Sequence, residues 1–258
     1  MIRIALDIGN SNIVLGIWDE SEWRHIWRIQ THTKGNPLPY YESQINDLFL
    51  ENDIEFGKIE SVIISSVVPG KNEVIRQLFE SIYGLNVYWI TPKIYPKLPI
   101  GIHNPLEIGT DLVANAVAAH QRFKTNCIIV DFGTALTFTT ITAEGEIIGV
   151  SIVPGLMTAI NTLSANTAQL PEVALAPPQS ALGHNTTTAI QSGIYYGYTG
   201  LVRNMVAEIK RELNKPCTVI ATGGLSDRLK DLSSLFDKRI PTLTLDGMIE
   251  ILEIFVNL

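Results

Sequence analysis

Two short stretches carry a carboxylate, a glycine and hydroxyl side chains in the same order. One is Asp131-Phe132-Gly133-Thr134-Ala135-Leu136-Thr137, behind the apolar run Cys127 to Val130. The other is Asp7-Ile8-Gly9-Asn10-Ser11-Asn12, which follows Ile2 to Leu6 and precedes Ile13 to Ile17. Each reads as a buried strand, a glycine turn and a second strand. Glycine lets the backbone turn sharply and come close to a ligand. The N–H groups of such a corner can hold a phosphate, and a cation then manages the repulsion between carboxylate and phosphate. A lone Asp-x-Gly corner is also a common hairpin turn. Two of them, in separate halves, predict a duplicated fold with the phosphates of ATP held between the halves.

The elements that must position these corners run in the same order twice. The pattern predicts strands over 2–7, 12–18 and 23–29, with Asp19-Glu20-Ser21-Glu22 as the turn between the last two. Trp18, Trp23 and Trp27 are expected to pack on that sheet. The polar segment Thr31 to Pro39, with Gly35-Asn36-Pro37, reads as a loop. Ile45, Leu48 and Phe49 predict a helix over Tyr40–Asn52. A short strand over Ser61–Ser65, a helix around Glu73–Tyr83 and a strand over Leu85–Ile90 follow. Pro92, Pro96, Pro99 and Pro105 keep 91–105 from being regular throughout. An alanine-rich helix starts near Thr110 or Asp111 and runs to about His120–Lys124, and local sequence alone makes Asp111 an N-cap.

The second half repeats the opening with strands near 126–131, 134–142 and 146–150, joined at Glu144-Gly145. Val153-Pro154-Gly155-Leu156 leads into a helix, and Leu170 to Pro178 reads as an extended connection. A long helix is predicted from about Ala189 to Leu213, with Gly193, Gly197 and Gly200 spaced for close contact with another helix, across a dimer interface for instance. A strand over Val219–Thr222 runs into Gly223-Gly224, and the last helix covers Asp246 to Val256. The expectation is an α/β chain of two domains, 1–117 and 118–258, each a mixed sheet flanked by helices.

Composition narrows the function. With 46% hydrophobic and 17% charged residues over 258 positions, the chain is globular and long enough for two compact domains. A net charge of −7 argues against a broad nucleic-acid face. Cys127 and Cys217 lie in apolar strand-like runs and read as buried reduced thiols. There is no apolar run long enough to span a membrane and no signal peptide at the start, so the expectation is a cytoplasmic protein. Neither Gly-x-x-x-x-Gly-Lys-[Ser/Thr] nor Gly-x-Gly-x-x-Gly occurs, and His25, His32, His103, His120 and His184 show no metal-ligand spacing.

The ordered motifs resemble those of the type III pantothenate kinases, within the actin, sugar-kinase and heat-shock ATPase superfamily. The matching stretches begin with Asp-Ile-Gly-Asn-Ser-Asn at 7–12, Ser-Ser-Val-Val-Pro at 65–69 and Asn-Pro…Gly-Thr-Asp at 104–111. They continue with Asp-Phe-Gly-Thr-Ala-Leu-Thr at 131–137, Pro-Gly-Leu at 154–156, Gly-His-Asn-Thr at 183–186, Gln-Ser-Gly at 191–193 and Thr-Gly-Gly at 222–224. They span nearly the whole chain, and their weight lies in the set and its order.

The resemblance implies two duplicated ribonuclease-H-like, actin-like ATPase domains. It implies ATP-dependent phosphorylation of pantothenate at its primary hydroxyl, the first step of coenzyme A synthesis. By that likeness Asp7, Ile8, Gly9, Asn10, Ser11, Asn12, Ile13 and Val14 form the first phosphate loop, and Thr134 contacts ATP. Asp131 holds a monovalent cation, potassium or ammonium, and Mg2+ accompanies the nucleotide. Gly109, Thr110, Asp111, Leu112 and Thr186 bind pantothenate, with Asp111 accepting the hydroxyl proton. Thr222-Gly223-Gly224 flanks the adenosine, and the chain forms a homodimer. Four positions depart from the family pattern: Leu112 stands for the usual Arg, Thr139 for a frequent Asp, Ile102 for a common Tyr and Ser11 for the usual Thr. Leu112 and Thr139 motivate one alternative, a regulatory or accessory paralogue; a second is a kinase or phosphohydrolase for another small molecule, because fold alone does not fix function.

Overall fold

The computed structural model describes residues 2–31, 37–165, 170–171 and 173–257. His32, with Gly35-Asn36 of the polar loop segment, and Glu172 of the extended connection lie outside the described residues. By packing, the chain forms two compact units that interleave in sequence. The first holds Met1–Leu98, Asn104–Val117 and Thr244–Leu258, and the second holds Pro99–His103 and Ala118–Leu243. Two contiguous domains, 1–117 and 118–258, are therefore a proposal about the duplication and not a description of packing.

In the first unit, β1 (Ile2–Ile8), β2 (Asn12–Asp19) and β3 (Glu22–Gln30) form an antiparallel meander. β4 (Ile59–Ser66) joins β1 in parallel and β5 (Val87–Trp89) joins β4, so the described sheet reads β3-β2-β1-β4-β5. The alternating apolar residues Ile2, Ile4, Leu6 and Ile8 meet Ile13, Leu15 and Ile17 in one core. α1 (Leu38–Glu51) covers it with Tyr41, Ile45 and Phe49, all buried. α2 (Pro69–Arg76) starts earlier than the predicted 73, because Pro69 sits in its first turn, where proline's fixed φ suits a helix. It then widens into a π-helical turn, Gln77–Ile82, in which the successive side chains of Leu78 and Phe79 are both fully buried.

The tryptophans pack on the sheet as expected. Trp18 and Trp23 meet edge to face at 5.0 Å, and Trp27 packs against Phe49. The Trp23 indole N–H donates to Asp246 Oδ1 at 2.7 Å, which anchors α6 (Leu243–Val256) to this unit. Arg3 bonds Glu253 of the same helix, and a Cβ at Gly247 would collide with the backbone of Ala114. Those contacts are why the last helix belongs with the first unit.

The second unit repeats the plan. β7 (Cys127–Phe132), β8 (Ala135–Ile141) and β9 (Glu146–Pro154) form the meander, and β10 (Thr218–Thr222) joins β7 in parallel. Two short strands extend the sheet, β6 (Gly101–Ile102) on β9 and β11 (Lys238–Arg239) on β10. The order β9-β8-β7-β10-β11 matches β3-β2-β1-β4-β5 strand for strand. α4 (Leu156–Ala165) and α5 (Thr186–Leu213) cover one face through Leu156, Ile160, Ile190, Ile194 and Val202. α5 opens on a capping box in which the Thr188 N–H donates to Asn185 Oδ1 at 2.9 Å. α3 (Thr110–Phe123) runs from one unit into the other. Cys127 is a buried free thiol; Cys217 is also free, but it precedes β10 and is only half-buried. Among the described residues no helix is long and apolar enough to cross a membrane.

Candidate active site

The first corner closes where β1 passes into β2. The Gly9 N–H donates to the Asn12 carbonyl at 3.0 Å, and Thr31 Oγ1 donates to the Gly9 carbonyl at 2.7 Å. Ile8 and Ile13 are buried in the core, so only their backbone could meet a ligand. Asn10, Ser11 and Asn12 are exposed at the tip. The second corner is built alike: the Gly133 N–H donates to the Ala135 carbonyl at 3.1 Å, and Thr134 is exposed. Neither Gly9 nor Gly133 adopts a positive φ. Close approach is what these turns need from glycine, since a Cβ would lie 3.1 Å from the Asn12 oxygen and 3.3 Å from the Ala135 oxygen.

Asp7 and Asp131 hold matching places. Asp7 pairs with Val14 on β2 and Ser65 on β4, and Asp131 pairs with Thr137 on β8 and Thr222 on β10. Residues directly opposed across strands point to the same face, so each carboxylate sits in a row of three side chains. Beside Asp131, the hydroxyls of Thr137 and Thr222 are buried and have no hydrogen-bond partner. Neutral hard oxygens next to one carboxylate fit the monovalent cation expected there. Among the described residues no group of three or more His, Cys, Asp or Glu gathers as a metal site.

Asp111 stands in the first turn of α3. The helix opens two residues earlier than an Asp111 cap requires: Thr110 is its first residue, and the Gly109 carbonyl accepts from the Val113 N–H at 3.2 Å. The Asp111 carboxylate folds back over Gly109 and accepts from the adjacent Leu112 N–H at 2.9 Å. An N-cap would instead reach an N–H two or three residues on. Burial raises the proton affinity of Asp111, and the two backbone N–H groups at 111 and 112 only partly offset it. The buried phenol of Tyr95 is pushed up to about 12, by burial first and by the Asp111 charge second. Leu112 turns its side chain into the interior.

Thr110 is held by hydrogen bonds to β4. Its Oγ1 lies 2.9 Å from Ser65 Oγ and accepts from the Ser66 N–H at 3.1 Å. Since Ser65 is the register partner of Asp7, the first corner and Gly109–Leu112 meet at one end of β1 and β4. In the second unit Asp131 and Thr134 share one corner, while Thr186 lies at the start of α5. Thr186 lines a cavity of about 640 Å³ with Leu163, Leu170, His184, Ile190 and Gly193. Ser65 lay inside a motif read from the sequence without being assigned a role, Thr222 was read only as part of the turn flanking the adenosine, and Tyr95 carried no local signal.

Solved structures share this architecture. A conserved Baf family protein from Campylobacter jejuni superposes with a TM-score of 0.58 at 20% identity, covering 99% of this chain and 100% of that one. The activator of the 2-hydroxyisocaproyl-CoA dehydratase from Clostridium difficile, with bound ADPNP, gives 0.53 at 10% identity over 100% and 97%. At such identities the likeness is one of fold: two duplicated ribonuclease-H-like units, each a mixed sheet flanked by helices. Sequence goes further. The type III pantothenate kinase family matches residues 3–208. A type III pantothenate kinase of Citrifermentans bemidjiense is 39% identical over 245 residues, covering 95% of this chain and 96% of that one. With paired corners in matching sheets and a close relative along nearly its whole length, the chain belongs to the type III pantothenate kinase family.

Proposed function

We propose that this chain transfers the γ-phosphoryl group of ATP to the primary hydroxyl of pantothenate, giving 4'-phosphopantothenate and ADP, the first step of coenzyme A synthesis. The observation that carries the reading is Asp111, a carboxylate of raised proton affinity at a helix start that Thr110 fastens to β4. As the hydroxyl oxygen bonds to the γ-phosphorus and the bond to the β–γ bridging oxygen breaks, the hydroxyl proton passes to the Asp111 carboxylate. A base of raised pKa serves this transfer better than an ordinary carboxylate. The rest of the catalysis is positioning and charge neutralisation.

Asp7 to Val14 supply the first phosphate loop, mainly through backbone and the exposed Asn10, Ser11 and Asn12. Thr134 contacts the nucleotide, and Thr222-Gly223-Gly224 flank its adenosine. Gly109, Thr110, Leu112 and Thr186 bind pantothenate around Asp111. A potassium or ammonium ion at Asp131, and Mg2+ with ATP, would supply positive charge against the phosphates. Gly193, Gly197 and Gly200 are exposed on α5, and a Cβ at any of them would meet nothing within 4 Å. That open face supports a homodimer packed through α5. The protein works in the cytoplasm.

The test is coupled ATP turnover with pantothenate, with and without potassium. Pantothenate-dependent ADP release is the expected result. The buried Leu112 favours a second reading, a kinase for another acceptor, because it offers no cation to pantothenate's carboxylate. Turnover only with another alcohol would select it, and ATP binding without turnover would indicate an accessory protein.

A further inference from the structure

We infer that Thr222 and Thr137 complete the oxygen set of a monovalent cation site centred on Asp131. The inference rests on the cation reading of Asp131 given above and adds two residues to it. Thr222, Asp131 and Thr137 stand side by side on β10, β7 and β8, in direct register. Their side chains therefore leave the sheet on one face. Thr222 is fully buried and Thr137 is 9% exposed, yet neither hydroxyl has a hydrogen-bond partner. Buried hydroxyls in native proteins are almost always paired, and an orphan calls for an ion or a water. Two orphans flanking one carboxylate call for the same ligand.

The duplicated fold supplies an internal control. In the first unit the place of Thr222 is taken by Ser65, whose hydroxyl is satisfied by Thr110, and the place of Thr137 is taken by Val14, which has none. The orphaned pair is thus specific to the second corner. The donor set also selects the ligand. One carboxylate with neutral hydroxyls balances a single positive charge, and oxygen donors suit a hard alkali cation. Gly223 preserves the space. Its φ of +87° suits glycine, and a Cβ there would strike the Asp131 carboxylate and come 2.7 Å from the Phe132 backbone.

The test is thermal melting of the full chain, with and without ADP, in potassium chloride against choline chloride at constant ionic strength. Wild type should gain a saturable rise in Tm from potassium. Thr222→Val and Thr137→Val should each raise the potassium midpoint by about tenfold, the lower end of what losing even an outer-shell metal partner causes. In choline the same variants should melt at or above wild type, since each exchanges an orphaned hydroxyl for a methyl. Thr222→Ser keeps the hydroxyl and should keep the midpoint. Wild-type midpoints in both valine variants, with the response lost in Asp131→Asn, would overturn the threonine assignment and leave the Asp131 reading standing. No potassium response in wild type, with or without ADP, would overturn both.

Discussion

The hydroxyls of Ser65 and Thr110 meet at 2.9 Å across 45 positions of sequence. They fix the end of β4 to the residue just before Asp111. Thr110→Val should leave the fully buried Ser65 hydroxyl without this partner, at a cost of about 1–3 kcal/mol in urea unfolding. It should also lower turnover, because the first turn of α3 loses its tether. Thr110→Ser keeps the hydroxyl and should recover both.

Asp111→Asn should reduce single-turnover phosphorylation by about 10²–10⁴-fold, the usual share of general acid–base catalysis, while ATP affinity stays. The variant should also reveal the burial of the carboxyl. A folded-state pKa raised above the unfolded value contributes stability that is full below the unfolded pKa and lost as pH rises through the folded one. Asn does not ionise, and its Oδ1 can still accept from the Leu112 N–H. Asp111→Asn should therefore melt above wild type near neutral pH, and the gap should close toward acid. In wild type, the acid limb of kcat/KM should fall above the ordinary carboxylate range. Equal phosphorylation rates in the two proteins would remove Asp111 from the chemistry.

Gly193→Leu and Gly197→Leu place side chains where the protomer offers no contact within 4 Å. Each should leave a protomer as stable as wild type or up to about 1 kcal/mol more stable, from helix propensity. Each should also shift light-scattering mass from dimer to monomer. A monomeric wild type would dismiss the α5 interface.

His120 is buried beside Gly145, and its Nδ1 has no hydrogen-bond partner. Burial first, and the nearby Lys124 second, lower its pKa from 6.5. The neutral ring is favoured in the fold, so its contribution is present above about pH 6.5 and lost as pH falls through the lower folded value. Unfolding free energy measured from neutral to mildly acid pH should fall more steeply in wild type than in His120→Leu. Parallel curves would mean that the ring titrates as it does unfolded.

Most of the architecture was legible because long strands and helices repeat their apolar residues over many positions. Ile2 to Ile8 and Cys127 to Phe132 announce themselves, and so does the run that became α5. β6 and β11 are two residues each and have no periodicity to read. The start of α3 near Thr110 was legible, but Asp111 is not its cap, and the partners that hold Thr110 lie on β4, far away in sequence. The Asp-x-Gly corners were visible as motifs. The orphaned hydroxyls were not, because a threonine in a β-rich run looks the same whether or not its oxygen finds a partner. Tyr95 stayed hidden for a related reason: its coupling to Asp111 bridges 16 positions that follow no regular element throughout.

The interleaving of the two units bears on how the protein is made. Every residue of the second unit leaves the ribosome before Thr244–Leu258, the stretch that closes the first. A nascent first unit must therefore wait, with the Trp23 indole and the space beside Gly16 still uncovered, while the intervening unit is translated. The N-terminal unit is thus the last to have all of its residues, against the usual N-terminal-first order of domain folding. A chain truncated before Thr244 would hold every residue of the second unit and leave the first unsealed.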